Sequence, residues 1–151
     1  MTPLPHRYTS ELSGGPAGYA KVRTEALPDI RIATPAQYGG PGDAWTPEHL
    51  LLAAVQACFL FTFRAVAGAE RVNFEYLELW TEGTVDRQDR RTKFTEIILR
   101  PRVTIGPEVD RTHIMRLLHK AERACLVSAS LDTPIRVEPE LVAATCLTLG
   151  G

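Results

Sequence analysis

Residues 46–68 read TPEHLLLAAVQACFLFTFRAVAG, and this stretch decides the fold. Thr46 suits an N-cap, Pro47 suits the first helical position, and Glu48 lies where the helix dipole favours a negative charge. The pattern therefore predicts a helix of about 20 residues that ends near Gly68. Because this helix is apolar on nearly every face, we expect it to be a central helix packed among other elements.

Three short strands are predicted before this helix. Residues 6–13 and 19–27 alternate loosely between apolar and polar side chains, and Gly14 to Gly18 is typical of a hairpin turn between them. Residues 29–35 predict a third strand, and residues 37–45 form a loop rich in glycine and proline.

Two long strands and a second helix are predicted after it. Residues 71–86 and 90–106 alternate in polarity and are joined by a short charged turn, which predicts an antiparallel hairpin. Asp110 is the expected N-cap of a helix over 111–125, which has one apolar stripe. Residues 133–142 then predict a closing strand. Strands and helices in this order favour an α+β fold over a parallel α/β fold.

The length and composition of the chain are those of one globular domain spanning residues 1–151. Hydrophobic residues make up 44% of the chain and charged residues 23%, and the net charge of -1 gives no reason to expect nucleic acid as a partner. The first ten residues lack the pattern of a signal peptide. The apolar run from Leu50 to Phe63 is shorter than the roughly 20 residues that a membrane span needs. We therefore expect a cytoplasmic protein with no membrane partner.

The chain has three cysteines, and a reducing compartment favours free or reactive thiols over structural disulfides. Cys58 lies within the apolar helix, where it could simply be a small core residue or could be a reactive thiol. Cys125 lies at the end of the second helix, where greater exposure favours chemistry. Cys146 carries no recognisable pattern.

The segments around the first two cysteines resemble the OsmC/Ohr family of osmotically induced and organic hydroperoxide resistance proteins. In that family the first helix opens with Pro-Glu and carries a cysteine ten residues after the glutamate, as Pro47, Glu48 and Cys58 do here. A second cysteine ends a later helix, shortly before a short strand, which matches Cys125. The order of elements agrees over nearly the whole chain.

The resemblance implies an intertwined homodimer and a peroxidase that uses no cofactor or metal. Cys58 would be the peroxidatic residue that attacks the O–O bond of an organic hydroperoxide and becomes a sulfenic acid. Cys125 would be the resolving residue that forms a disulfide, which an external dithiol then reduces.

The chemistry requires a supported thiolate, because burial of Cys58 should raise its pKa. The residue lies about three turns into the helix, where the helix dipole no longer helps, so we expect a cation to be supplied. In the family an arginine held by the glutamate of the helix start does this. The candidates are Arg23 first, then Arg31 and Arg7. Glu48 would lie roughly 15 Å from Cys58 along the helix, which favours its action across a dimer interface.

Two other interpretations remain open. The family usually has proline after the second cysteine, and this chain has Leu126, so a divergent member could keep the fold and bind a hydrophobic ligand or sense redox state without catalysis. Cys58 could also be only core filler. His113 and His119 lie six residues apart and do not share a helix face, so no metal site is expected.

Overall fold

A computed structural model describes residues 3–145. The first strands of the chain form a three-stranded antiparallel sheet. The strands follow one another in the order of the chain: β1 (Glu11–Gly14), β2 (Ala20–Arg23) and β3 (Ile30–Ile32). The predicted hairpin turn between the first two strands is confirmed, and its Gly18 has a φ of 85°. The strands are shorter than predicted, because their outer residues find no partner strand within this sheet.

The chain divides into two compact units with a boundary between Leu51 and Leu52. The N-terminal unit holds the three strands, a short 3-10 helix over Ala36–Tyr38, and the start of the first α-helix. Thr46 is the N-cap of that helix as predicted, since its hydroxyl accepts a hydrogen bond from the backbone N–H of His49 at 3.2 Å.

The long helix α1 spans Pro47–Ala69, 23 residues, and it is buried on one side in the single chain. Its buried residues recur every fourth position and form one stripe: Val55, Phe59, Phe63 and Ala67. The opposite side is exposed at Ala54 and Ala57, and 59% of Phe61 remains accessible. Gly68, near which the helix was predicted to end, lies one residue before its end.

By length and composition alone α1 could cross a membrane. That is weak support for a span, because the core helix of a globular protein passes the same test. The stripe of α1 belongs to a hydrophobic core with residues of the following strands and helix, so the protein shows no clear membrane-spanning element among residues 3–145.

The C-terminal unit is built on the predicted antiparallel hairpin, which is confirmed. Strand β4 spans Tyr76–Gln88 and pairs with β5, Arg91–Ile105. Only Asp89 and Arg90 separate them, and both have positive φ, 49° and 63°. Positive φ at both central residues is the geometry of the two-residue turns that suit the twist of a hairpin.

The predicted closing strand forms, but as two strands. These are β6 (Ile135–Val137) and β7 (Glu140–Ala143), and each pairs with β5 in parallel. Pro139 lies between them and has no backbone N–H to donate to a ladder, which explains the interruption. The sheet is therefore mixed at this edge, whereas the hairpin itself is antiparallel.

Two helices complete the unit. Helix α2 spans Arg111–Ala124, and its N-cap Asp110 accepts hydrogen bonds from two backbone N–H groups, as predicted. The predicted stripe is fully buried in the core: Ile114, Leu117, Leu118 and Ala121. The short helix α3, Leu126–Ala129, was not predicted. These elements confirm the α+β class with antiparallel strands, and the dimer remains a prediction.

Candidate active site

The site centres on two cysteines that lie in the C-terminal unit. Cys58 is half-buried about three turns into α1, and Cys125 is fully buried at the junction between α2 and α3. The expectation that Cys125 is the more exposed of the two is wrong. Its extended backbone (φ -69°, ψ 117°) turns the chain between two helices, and this turn directs its side chain inward.

The two thiol groups are hydrogen-bonded although the residues lie 67 positions apart in the sequence. Both thiols are free, and the thiol of Cys125 donates a hydrogen bond to the sulfur of Cys58. The backbone N–H of Val127 donates to the same sulfur at 3.5 Å. The neighbouring N–H of Leu126 also lowers the pKa of this thiol. The hydroxyl of Thr62 lies 4.0 Å away. The sulfur of Cys58 is therefore surrounded by donors.

These donors decide the pKa of Cys58. Burial raises it, but the hydrogen bonds from Cys125, from the N–H groups of Val127 and Leu126, and from Thr62 lower it by more, so the net pKa is below the usual value of a cysteine. The prediction of a raised pKa is therefore wrong. The prediction took account of burial and of the dipole of α1 but not of hydrogen bonds. Hydrogen bonds donated to the sulfur favour the thiolate and so lower the pKa.

The pKa of Cys125 moves in the opposite direction. Burial raises it most, and its hydrogen bond to Cys58 raises it further, whereas the hydroxyl of Ser128 lowers it in part. Of the pair, Cys58 is thus the better thiolate and Cys125 is the residue that keeps its proton. A low-pKa thiol beside a protonated one is the arrangement in which one sulfur attacks first and the other follows.

Glu48 lies in the first turn of α1, ten residues before Cys58. Ten residues of helix correspond to roughly 15 Å. Its Oε2 atom is buried and has no hydrogen-bond partner within residues 3–145. A buried carboxylate oxygen without a partner is costly, so a hydrogen-bond donor at this position would stabilise the fold.

The three candidate arginines belong to the N-terminal unit. Arg23 is exposed in β2, opposite Glu11 of β1. Arg31 is engaged with Asp43, through the backbone carbonyl at 3.1 Å and the carboxylate at 3.7 Å, and its guanidinium lies over the ring of Tyr19. Arg7 is exposed before the first strand. The role of each as a partner of Cys58 stays a prediction.

Three contributors to the site were missed by the sequence reasoning. Thr62 follows Cys58 by four positions, and residues at this spacing share a helix face, so it could have been found. The N–H groups of Leu126 and Val127 leave no pattern in side-chain types and could not. Cys146, whose role was left open, lies outside the described residues.

The surface beside the sulfur of Cys58 is apolar. Phe61 follows Cys58 by three positions on α1 and is 59% exposed, and Leu126, whose N–H contacts the sulfur, is 72% exposed. Large exposed apolar side chains next to a reactive group are typical of a surface that binds an apolar ligand or a protein. The guanidinium of Arg64 lies 5.5 Å from the centre of the Phe61 ring and adds one charge to this surface.

Comparison with known proteins identifies a matching family and several related sequences. The family described as OsmC-like protein matches residues 40–140. The organic hydroperoxide resistance protein of Xanthomonas axonopodis pv. citri is 30% identical over 117 residues, which cover 75% of this chain and 78% of the relative. The uncharacterized protein YmaD of Bacillus subtilis is 26% identical over 112 residues, which cover 72% of this chain and 75% of YmaD.

The solved structures agree on the fold. An OsmC-like protein of unknown function from Vibrio cholerae superimposes with a TM-score of 0.82 at 15% sequence identity, over 89% of this chain and 99% of the other. The family match extends over two thirds of the sequence and contains both cysteines of the site. The chain therefore belongs to the OsmC-like family.

Proposed function

We propose that this protein is a thiol-dependent peroxidase that reduces organic hydroperoxides, with Cys58 as the peroxidatic residue and Cys125 as the resolving residue. The observation that carries the proposal is the hydrogen-bonded sulfur pair, in which the pKa of Cys58 is lowered and that of Cys125 is raised. The relative named an organic hydroperoxide resistance protein supports the same class of substrate.

Each step of the proposed reaction balances with these two sulfurs and one external dithiol. The Cys58 thiolate attacks the terminal oxygen of the hydroperoxide, the O–O bond breaks, and the alkoxide leaves and takes up a proton as the alcohol. The resulting sulfenic acid condenses with the Cys125 thiol to give a disulfide and water. The dithiol then reduces this disulfide and is itself oxidised to a disulfide.

The apolar surface beside the sulfur supports an organic substrate over hydrogen peroxide. Leu126 offers exposed apolar area close to Cys58, and burying the alkyl or aryl group of a hydroperoxide there would remove it from water. Hydrogen peroxide has no such group and gains nothing from this surface.

The test is to treat the reduced protein with cumene hydroperoxide and map disulfides by mass spectrometry of its peptides. We expect a Cys58–Cys125 disulfide, formed faster than with hydrogen peroxide at equal concentration. Cys125→Ser should stop at the sulfenic acid of Cys58, and Cys58→Ser should leave the hydroperoxide unreduced.

One result would contradict the proposal. If Cys58 stays a free thiol under excess hydroperoxide while the circular dichroism spectrum shows an intact fold, the protein is not a peroxidase. The apolar surface would then favour the alternative of a non-catalytic protein that binds a hydrophobic ligand.

We also propose that a second copy of the chain covers the exposed side of α1, as a homodimer. The support is the apolar character of that side, which includes Ala54, Ala57 and Phe61, and the buried Oε2 of Glu48 that has no partner within residues 3–145. In such a dimer Glu48 would act at the partner's site, because along its own helix it lies roughly 15 Å from Cys58.

Mixed dimers test the role of Glu48. Glu48→Gln and Cys58→Ser should each be inactive alone, whereas a mixture that is unfolded and refolded together should regain activity, because some dimers then hold one complete site. If the mixture stays inactive although native mass spectrometry detects the mixed dimer, Glu48 does not act across the interface.

A further inference from the structure

The N–H groups that follow Cys125 are free of the usual helical partners. The first N–H groups of any helix have no carbonyl acceptor within it and must find another one. In α3 the N–H of Val127 donates to the sulfur of Cys58 at 3.5 Å, and the adjacent N–H of Leu126 also lowers the pKa of that thiol. The main chain of this turn thus favours the thiolate of Cys58, through the Val127 contact and with the Leu126 N–H beside it.

We propose that the main-chain N–H groups of Leu126 and Val127 hold the thiolate form of Cys58, so that the turn after Cys125 is a positioning element of the site. This deepens the proposed function, on which its catalytic meaning rests. The donors belong to the backbone, and no charged side chain is needed for their effect. The same turn also carries the second sulfur, so one short segment both holds the thiolate and presents the thiol that follows it.

The chemistry of the contact supports this role. A hydrogen bond to an anion is about twice as strong as one between neutral groups, so an N–H that points at the sulfur favours the thiolate over the thiol. The contact is also partly shielded, since Cys58 is half-buried, and a shielded hydrogen bond is stronger than one in water.

The N–H of Leu126 can be removed by a substitution that should disturb the fold little. Leu126→Pro deletes only an N–H and an exposed side chain, because 72% of Leu126 is accessible. Proline fits the first position of a helix, and the preceding Cys125 already has the extended backbone (φ -69°, ψ 117°) that a residue before proline prefers. Leu126→Ala is the matched control, since it removes the side chain and keeps the N–H.

The first measurement is the rate at which iodoacetamide alkylates Cys58 as a function of pH, counted by mass spectrometry so that Cys125 and Cys146 are scored separately. Leu126→Pro should move the midpoint upward by on the order of one pH unit, which slows alkylation about tenfold below the midpoint. Leu126→Ala should follow the wild type. If the proline and alanine variants share one midpoint, the proposal is overturned.

If the proline variant does not fold, a second measurement on the wild-type protein tests the same proposal. In the ¹⁵N-labelled protein the amide protons of Leu126 and Val127 should move downfield with the midpoint of Cys58, by more than those of Ala129 and Ser130, and Cys58→Ser should abolish this. Amides that do not respond would overturn the proposal. Neither measurement uses a hydroperoxide, so failure of the peroxidase proposal would be seen separately.

Discussion

The thiol of Cys125 donates a hydrogen bond to the sulfur of Cys58, and this contact moves their pKa values in opposite directions. The donor keeps its proton because giving it up would break the bond, and the acceptor loses its own more easily because the bond stabilises its anion. In the proposed reaction Cys58, the acceptor of this hydrogen bond, therefore reacts first, and Cys125, the donor, reacts second.

The Cys125 donor can be removed while the Cys58 sulfur is kept. Cys125→Ala leaves no donor at this position, so we expect the pKa of Cys58 to rise and its alkylation midpoint to move to higher pH. Cys125→Ser keeps a hydroxyl donor and should move the midpoint less. If the alanine and serine variants titrate alike, the Cys125 thiol does not set the pKa of Cys58.

Much of the fold could be predicted because its main elements are long and periodic. Strand β4 alternates between exposed and half-buried residues, and α2 shows a stripe in which Ile114 and Leu118 repeat at helical spacing, so local pattern was sufficient for these elements. The four-residue α3 has no room for a period. The split of the last strand depends on its pairing with β5, which is a tertiary contact that single-sequence patterns do not encode.

The candidate site, like the fold, could be predicted from the sequence only in part. That Cys58 and Cys125 belong to one site was implied only by the family resemblance. The two residues lie 67 positions apart, and local pattern says nothing about their contact. The sign of the pKa change at Cys58 could not be predicted, since two of its donors are main-chain N–H groups of Leu126 and Val127. Any residue except proline at those positions would carry the same donor.

Glu70 should make the stability of the protein depend on pH. It follows α1 and receives hydrogen bonds from Lys120 at 2.7 Å, His113 at 2.7 Å and Arg116 at 3.0 Å, and these contacts lower its pKa to about 2. The unfolded value is about 4.3, so the ionised Glu70 stabilises the fold above that pH, and the contribution is lost as the pH falls toward about 2.

The comparison is between the wild type and Glu70→Gln, with free energies of unfolding measured in urea from about pH 7 to about pH 3. The wild type should be more stable at the upper end, and the difference should narrow below about pH 4.3. Glu25→Gln, which changes an exposed carboxylate in a turn, is the control. A difference that stays constant over the whole range would contradict the assigned role.

Two phenylalanines two positions apart on α1 should behave differently. Phe63 is fully buried in the core, so Phe63→Ala should lower the free energy of unfolding by about 3–5 kcal/mol at every protein concentration. Phe61 is exposed in the single chain, so Phe61→Ala should instead weaken self-association, measured by sedimentation. Equal association of the wild type and Phe61→Ala would argue against a dimer formed through this side of α1.

Two glycines should respond to alanine with opposite signs. A Cβ at Gly83 of β4 would lie 2.7 Å from a ring carbon of Phe94 and 2.9 Å from a methyl carbon of Leu52, so these side chains must shift, and Gly83→Ala should cost about 1–3 kcal/mol of stability. At Gly68 of α1 a Cβ would meet no atom within 4 Å among residues 3–145, and alanine favours a helix, so Gly68→Ala should stabilise by about 0.5–1 kcal/mol. Chemical denaturation of the two variants measures both values. If Gly83→Ala were as stable as the wild type, the sheet and α1 would be packed less closely at this point than the distances to Phe94 and Leu52 require.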